Sequence, residues 1–190
     1  MRQFFCILCE SFIYQKDEIF CSYCFSKIKK ENIKVREDRG FKHIYLFSWS
    51  TKNDSLCRKI VYSLKKKPSE HFDQLTPLFA PYVGILDWPL ICPKSKIGCL
   101  NHAESMAQSF KKLFSFSGVS TIETPLSGFQ KRKKTRFERF QELKSTVMAS
   151  GNWVFVDDVF VTGATCYKIA EQVGTRPKLA LTLFYKEKEF

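Results

Sequence analysis

The sequence predicts an α/β fold: a mostly parallel sheet flanked by helices, with a small metal-binding module at its N-terminus. Three observations carry this. Short apolar runs alternate with amphipathic helical patterns along most of the chain, the sign of βαβ units. One of these runs, near the C-terminal end of the sequence, passes through two acids and a glycine turn into a helix. Four early cysteines stand in two C-x2-C pairs.

The composition suits such a domain. Of the 190 residues, 44% are hydrophobic and 26% charged, enough apolar material for a core without disulfide staples. No run approaches the roughly 18–20 apolar residues needed to span a bilayer. The opening MRQFFCILCESF lacks the pattern of a signal peptide. The expected location is therefore the cytoplasm, where cysteines are thiols or metal ligands. The formal net charge of +12 fits a polyanionic partner such as nucleic acid, an anionic membrane surface or a phosphate-rich ligand. A lysine-rich proteome would give the same balance. The 19 Phe residues divide between core positions and stacking platforms.

Cys6, Cys9, Cys21 and Cys24 read C-x2-C, eleven residues, C-x2-C. Each pair suits a tight knuckle, and two knuckles supply the all-sulfur tetrahedron of a structural zinc site. With four thiolates no coordination position is left for water, so the zinc is structural. Residues 1–40 are too few to hold a core alone, and metal binding would supply the missing folding energy. The remaining cysteines, Cys57, Cys92, Cys99 and Cys166, share no spacing and read as reduced thiols.

Residues 41–190 form the second unit. HIYLFSW, 43–49, reads as a strand. An amphipathic helix follows from Asp54, with Leu56, Ile60, Val61 and Leu64 on one face and Pro68 as its stop. A second helix fits 70–80. Residues 83–92 read as a buried strand interrupted by Pro89. A helix starts near Asn101, with Ala103, Met106, Ala107, Phe110, Leu113 and Phe114 as its apolar stripe. A short strand fits 119–123. Residues 125–136 have the composition of a mobile loop, and a helix fits 136–146. NWVFV, 152–156, reads as a strand, followed by a helix over 164–173 and a final strand, KLALTLFY.

The sharpest signal is VFVDDVFVTGATCYKIA, 154–170. A strand ending in Asp157 and Asp158 leads through a loop into a helix. Ligands of open α/β sheets bind beyond the carboxyl ends of strands. A helix N-terminus there offers free N–H groups and positive dipole character to a phosphate. Gly163 permits close backbone approach, and Thr162 and Thr165 add hydroxyls. The carboxylates suit hydroxyl groups or a divalent cation. Together these parts match a ribose 5-phosphate.

This segment resembles the signature of type I phosphoribosyltransferases, which bind phosphoribosyl pyrophosphate (PRPP) with Mg2+. The resemblance implies that Asp157 and Asp158 engage the ribose 2′ and 3′ hydroxyls, and that Val161, Thr162, Gly163, Ala164 and Thr165 hold the 5-phosphate. Val161 stands where the family usually has threonine. By the same likeness the loop carrying Lys94, Ser95 and Lys96 would hold pyrophosphate; a solvated basic turn is the equal alternative. Nearly the whole chain resembles the ComF family of competence proteins. The resemblance rests on the four cysteines, YSLKKKP, DWPLICPKSK, GCLNHAESMA and DDVFVTGAT. Gly98 stands where that family usually has arginine.

The family resemblance implies a DNA-uptake factor for natural transformation. It would handle incoming single-stranded DNA, bind PRPP–Mg2+, and act beside the DNA translocation and helicase machinery at the inner membrane without spanning it. Lys131, Arg132, Lys133, Lys134 and Arg136, flanked by Phe129 and Phe137, suit single strands, where cations meet phosphates and rings meet bases. A solvated active-site flap explains the same cluster equally well. Two other functions stay open: a phosphoribosyltransferase with a nitrogen acceptor, and a PRPP-sensing regulator.

Overall fold

Two β-sheets and the helices laid on them organise the computed structural model, which describes residues 4–13, 20–30, 33–50, 54–66, 68–94, 101–123 and 151–186. The predicted helix at 136–146 and the loop at 125–136 lie outside the described residues.

The N-terminal segment is a two-stranded antiparallel hairpin followed by a helix. Strands β1 (Phe4–Phe5) and β2 (Phe12–Ile13) pair in register Phe4↔Ile13. Helix α1 spans Ser22–Lys30. A separate six-stranded sheet comprises β3 (Lys34–Asp38), β4 (Phe41–Trp49), β5 (Pro89–Pro93), β6 (Gly118–Ile122), β7 (Val154–Phe160) and β8 (Leu179–Lys186). Their spatial order is β3-β4-β8-β7-β5-β6. All neighbours are parallel except β3 and β4, so the predicted mostly parallel α/β sheet is what the chain forms.

Strand β3 was not foreseen. Its sequence, KVRED, has neither an apolar run nor alternation. It is held by a two-residue turn in which Arg39 (φ 48°) and Gly40 (φ 93°) both take left-handed backbone, the pattern that matches the twist of antiparallel hairpins. The sheet thus includes residues on the N-terminal side of position 41.

Helix α2 (Asp54–Lys66) ends as expected, but Pro68 opens helix α3 (Pro68–Leu75) in the same stroke. Proline lacks the N–H that a first helical turn cannot use. A 3-10 turn over Thr76–Phe79 follows. The run at 83–92 is not one strand. Only Pro89–Pro93 pairs, because proline tolerates the first position of a strand and not its middle. Helix α4 (His102–Leu113) is capped by Asn101, whose side chain accepts the Glu104 N–H at 3.2 Å. Helix α5 (Ala164–Val173) ends at Gly174 in left-handed backbone.

Strand alternation sends side chains to two opposite faces. Leu90 and Cys92, Val154 and Val156, and Leu179 and Leu181 pack with α2, α3 and α4 in the larger core. That core also takes in Cys6, Ile13, Phe20, Cys24 and Ile28, so the N-terminal hairpin and α1 sit on the α/β unit. Ile91, Phe155 and Ala180 face the other way, against Cys166, Ile169 and Val173 of α5. Helices therefore cover both faces. No helix among the described residues is long and apolar enough to cross a membrane.

Candidate functional site

The position of the site follows from the strand order. From β5 the chain passes through α4 to β6 on one side, whereas β7 lies on the other side of β5. Helices α4 and α5 pack on opposite faces of the sheet. The chain directions part between β5 and β7, which is a topological switch point, the place where open α/β sheets leave a crevice at their carboxyl ends.

The acid pair stands at that crevice. The sequence reading takes the apolar run to Val156 and ends the strand at the acids. In the structure β7 runs through them to Phe160, because β8 keeps pairing with it at Val159↔Phe184 and Phe160↔Tyr185. On the other side the ladder with β5 stops at Ile91↔Phe155. Asp157 and Asp158 therefore lie on a stretch of β7 hydrogen-bonded on one side and past its partner on the other. Both are half-buried. Asp157 Oδ1 accepts the Asp158 N–H at 2.9 Å, which orients one carboxylate along the strand.

Beyond β7, Val161 and Thr162 are exposed and Gly163 is buried. Gly163 stands at the N-cap of α5 with φ 74° and brings no capping side chain of its own. The Thr162 hydroxyl accepts the Ala164 N–H at 3.3 Å. A Cβ at position 163 would fall 2.7 Å from a Tyr167 ring carbon and 2.8 Å from Phe160 Cζ. Glycine is thus required by both backbone and space. Sequence reading singled out Gly163 but missed its two supports, Phe160 and Tyr167. Tyr167 is tied in turn to β3, donating its hydroxyl to Asp38 at 3.3 Å.

Two buried thiols flank the acids. Burial pushes the Cys166 thiol up to about 12, helped by Asp38 and Asp157. Burial, with Glu104 and Asp157 adding to it, raises Cys92 further still. Both stay protonated near neutral pH.

Lys94 follows β5, and its N–H donates to Ile122 O at 2.8 Å. Its ammonium lies 2.7 Å from Glu123 Oε1, at the end of β6. Glu123 is a partner the sequence reading did not consider, although it falls at the end of the strand expected there. Ser95 and Lys96 lie outside the described residues, as do Lys131, Arg132, Lys133, Lys134 and Arg136.

The four N-terminal cysteines come together. The Sγ atoms of Cys6, Cys9, Cys21 and Cys24 all lie within 4.8 Å of one another, close enough to hold a metal ion. The first pair sits on the β1–β2 turn, a knuckle in which Glu10 takes φ 61° and donates its N–H to Cys6 O at 2.8 Å. The second pair is not a knuckle: Cys21 precedes α1 and Cys24 lies in its first turn, where the helix dipole favours thiolates. The Cys24 N–H is 3.4 Å from Cys21 Sγ. The side chain and backbone of Ser11 hold the Cys9 thiol down at about 6, whereas burial pushes Cys24 well up. An ion would remove that opposition by taking all four as thiolates.

No protein-family model matches the chain, and no curated protein sequence matches it.

Proposed function

We propose that this chain is a DNA-uptake factor of the ComF type, which binds PRPP with Mg2+ at the β7–α5 loop and holds a structural zinc ion in its N-terminal module. One observation carries the reading. An acid pair on the open flank of β7 and a glycine-capped helix start three residues past β7 meet at the switch point of the sheet. The first-turn amides of α5 beyond Ala164 suit a 5-phosphate, and Asp157 and Asp158 suit the vicinal hydroxyls or the cation beside it.

Zinc suits the cysteine cluster. With Zn–S bonds of about 2.3 Å a tetrahedral ion sets its sulfurs about 3.8 Å apart, and Cys9 Sγ and Cys21 Sγ are 3.6 Å apart. A single-stranded DNA partner is supported by the net charge of +12 and by the surface of the module. Tyr23 is 64% exposed with Lys27 Nζ 4.6 Å from its ring, and Phe5 and Phe12 form an exposed edge-to-face pair. Rings beside ammonium groups suit stacked bases and phosphates.

The test is calorimetric titration of PRPP with Mg2+ into the wild type and into Asp157→Ala/Asp158→Ala. Binding that the double variant loses supports the site; no binding by folded wild type rejects it. Pyrophosphate release with ammonia or a nucleobase present would favour the phosphoribosyltransferase reading instead.

A further inference from the structure

We propose that Cys9 and Cys21 are an oxidation site, at which peroxide closes a disulfide and releases the metal held by the cluster. This rests on the zinc reading above.

The four sulfurs are not equivalent. Cys6 and Cys24 are 1% and 5% exposed and belong to the core. Cys9 is exposed and Cys21 half-buried. The two accessible sulfurs are also neighbours, 3.6 Å apart. They come from different arms, Cys9 from the β1–β2 turn and Cys21 from the residue before α1. An oxidant arriving from solvent therefore meets Cys9 first and finds the second accessible thiolate beside it.

The chemistry balances with hydrogen peroxide as the oxidant. The Cys9 thiolate attacks one peroxide oxygen; an S–O bond forms, the O–O bond breaks, and hydroxide leaves. The Cys21 thiolate then attacks the Cys9 sulfur, forming the S–S bond and expelling a second hydroxide. Two electrons pass from the sulfurs to peroxide, and solvent protons convert the hydroxides to water. Cys6 and Cys24 remain as thiols, and two ligands fall short of the four that structural zinc takes. The new bond joins hairpin to helix where the ion joined them. Ile13, Phe20 and Ile28 keep the arms seated on the core.

The test treats zinc-loaded full-length protein with one to five equivalents of hydrogen peroxide. Zinc release is followed with a chromogenic chelator, and thiols are mapped by mass spectrometry. The expected result is release of about one zinc per chain in step with a Cys9–Cys21 disulfide. Cys57, Cys92 and Cys166, all buried, should stay reduced, and reductant with added zinc should restore the starting state. A Cys6–Cys9 or Cys21–Cys24 bond, earlier oxidation of the buried thiols, or retained zinc overturns the proposal. Folded protein that takes up no zinc overturns the zinc reading itself and the release step with it, and the mapping then decides the disulfide alone.

Discussion

Gly163 lies against Tyr167, so close that a single added carbon at 163 would come within 2.7 Å of a ring carbon. Because Gly163 also has φ 74°, Gly163→Ala meets both backbone strain and a collision. It should cost about 1–3 kcal/mol, read as a lower urea midpoint with an unchanged slope. An unshifted midpoint would mean that the Phe160 and Tyr167 rings yield freely.

The two acids should separate by stability. Asp157 accepts a backbone N–H and Asp158 does not return it. Losing a hydrogen bond to a charged group costs about 1.5–3 kcal/mol, so Asp157→Ala should destabilise by roughly that much. Asp158→Ala should stay within about 1 kcal/mol of wild type. Both should weaken PRPP binding. Equal unfolding midpoints for the two variants would contradict the local role of Asp157.

Lys94 is expected to bind better once freed. Its pairing with Glu123 is exposed on both sides, and such pairs contribute about 0–1 kcal/mol. Glu123→Gln should therefore leave the melting temperature nearly unchanged. It should raise affinity for inorganic pyrophosphate, an effect that shrinks as salt is added. Unchanged affinity would place Lys94 away from the pyrophosphate.

His43 gives the fold an acid-side weakness. It is fully buried on β4, its Nε2 2.8 Å from Thr182 Oγ1, and its Nδ1 has no hydrogen-bond partner among the described residues. Burial, and secondarily Arg36, hold the imidazole at about 3. Between about 6.5, the ordinary value, and about 3, the unfolded chain binds the extra proton and the folded chain does not. Stability is thus full above pH 6.5 and falls as the pH drops through this window, by at most about 1.4 kcal/mol per unit. His43→Phe should show a flatter dependence there, measured by urea unfolding between pH 4 and pH 7. Parallel curves would show that His43 protonates in the folded state.

What could be read in advance depended on how far each segment carries its own reason for folding. Helix α4 announced itself through Asn101 and the stripe of Ala103, Met106 and Phe110, which are local features. The loop at Gly163 was legible because backbone freedom and helix start are both written within a few residues. Strand β3 was not, since Lys34, Arg36, Glu37 and Asp38 are in the sheet only because β4 pairs with them; the Arg39–Gly40 turn was the one local hint. The extent of β7 was hidden for a similar reason. Asp157 and Asp158 are poor strand formers, and the ladder from β8 carries them. Helix α1 was hidden because Cys21 and Cys24 carry the spacing of a metal knuckle, which masks the helical turn that starts between them at Ser22. The bond between Lys94 and Glu123 depends on two parallel strands lying side by side, which spacing along the chain does not reveal.

The sheet has a consequence for how the protein comes into being. Strand β4 receives its parallel neighbour only from β8, and His43 and Thr182 are separated by 139 positions. At roughly 5–20 residues per second, a ribosome needs on the order of ten seconds to make that stretch. During this time the Ile44, Leu46 and Phe47 strand has no β8 to lie against. Contacts of such long reach also slow the final closure. The newborn chain is then at its most vulnerable to aggregation and proteolysis, and chaperones that cover apolar strands should matter more for its yield than for its eventual stability.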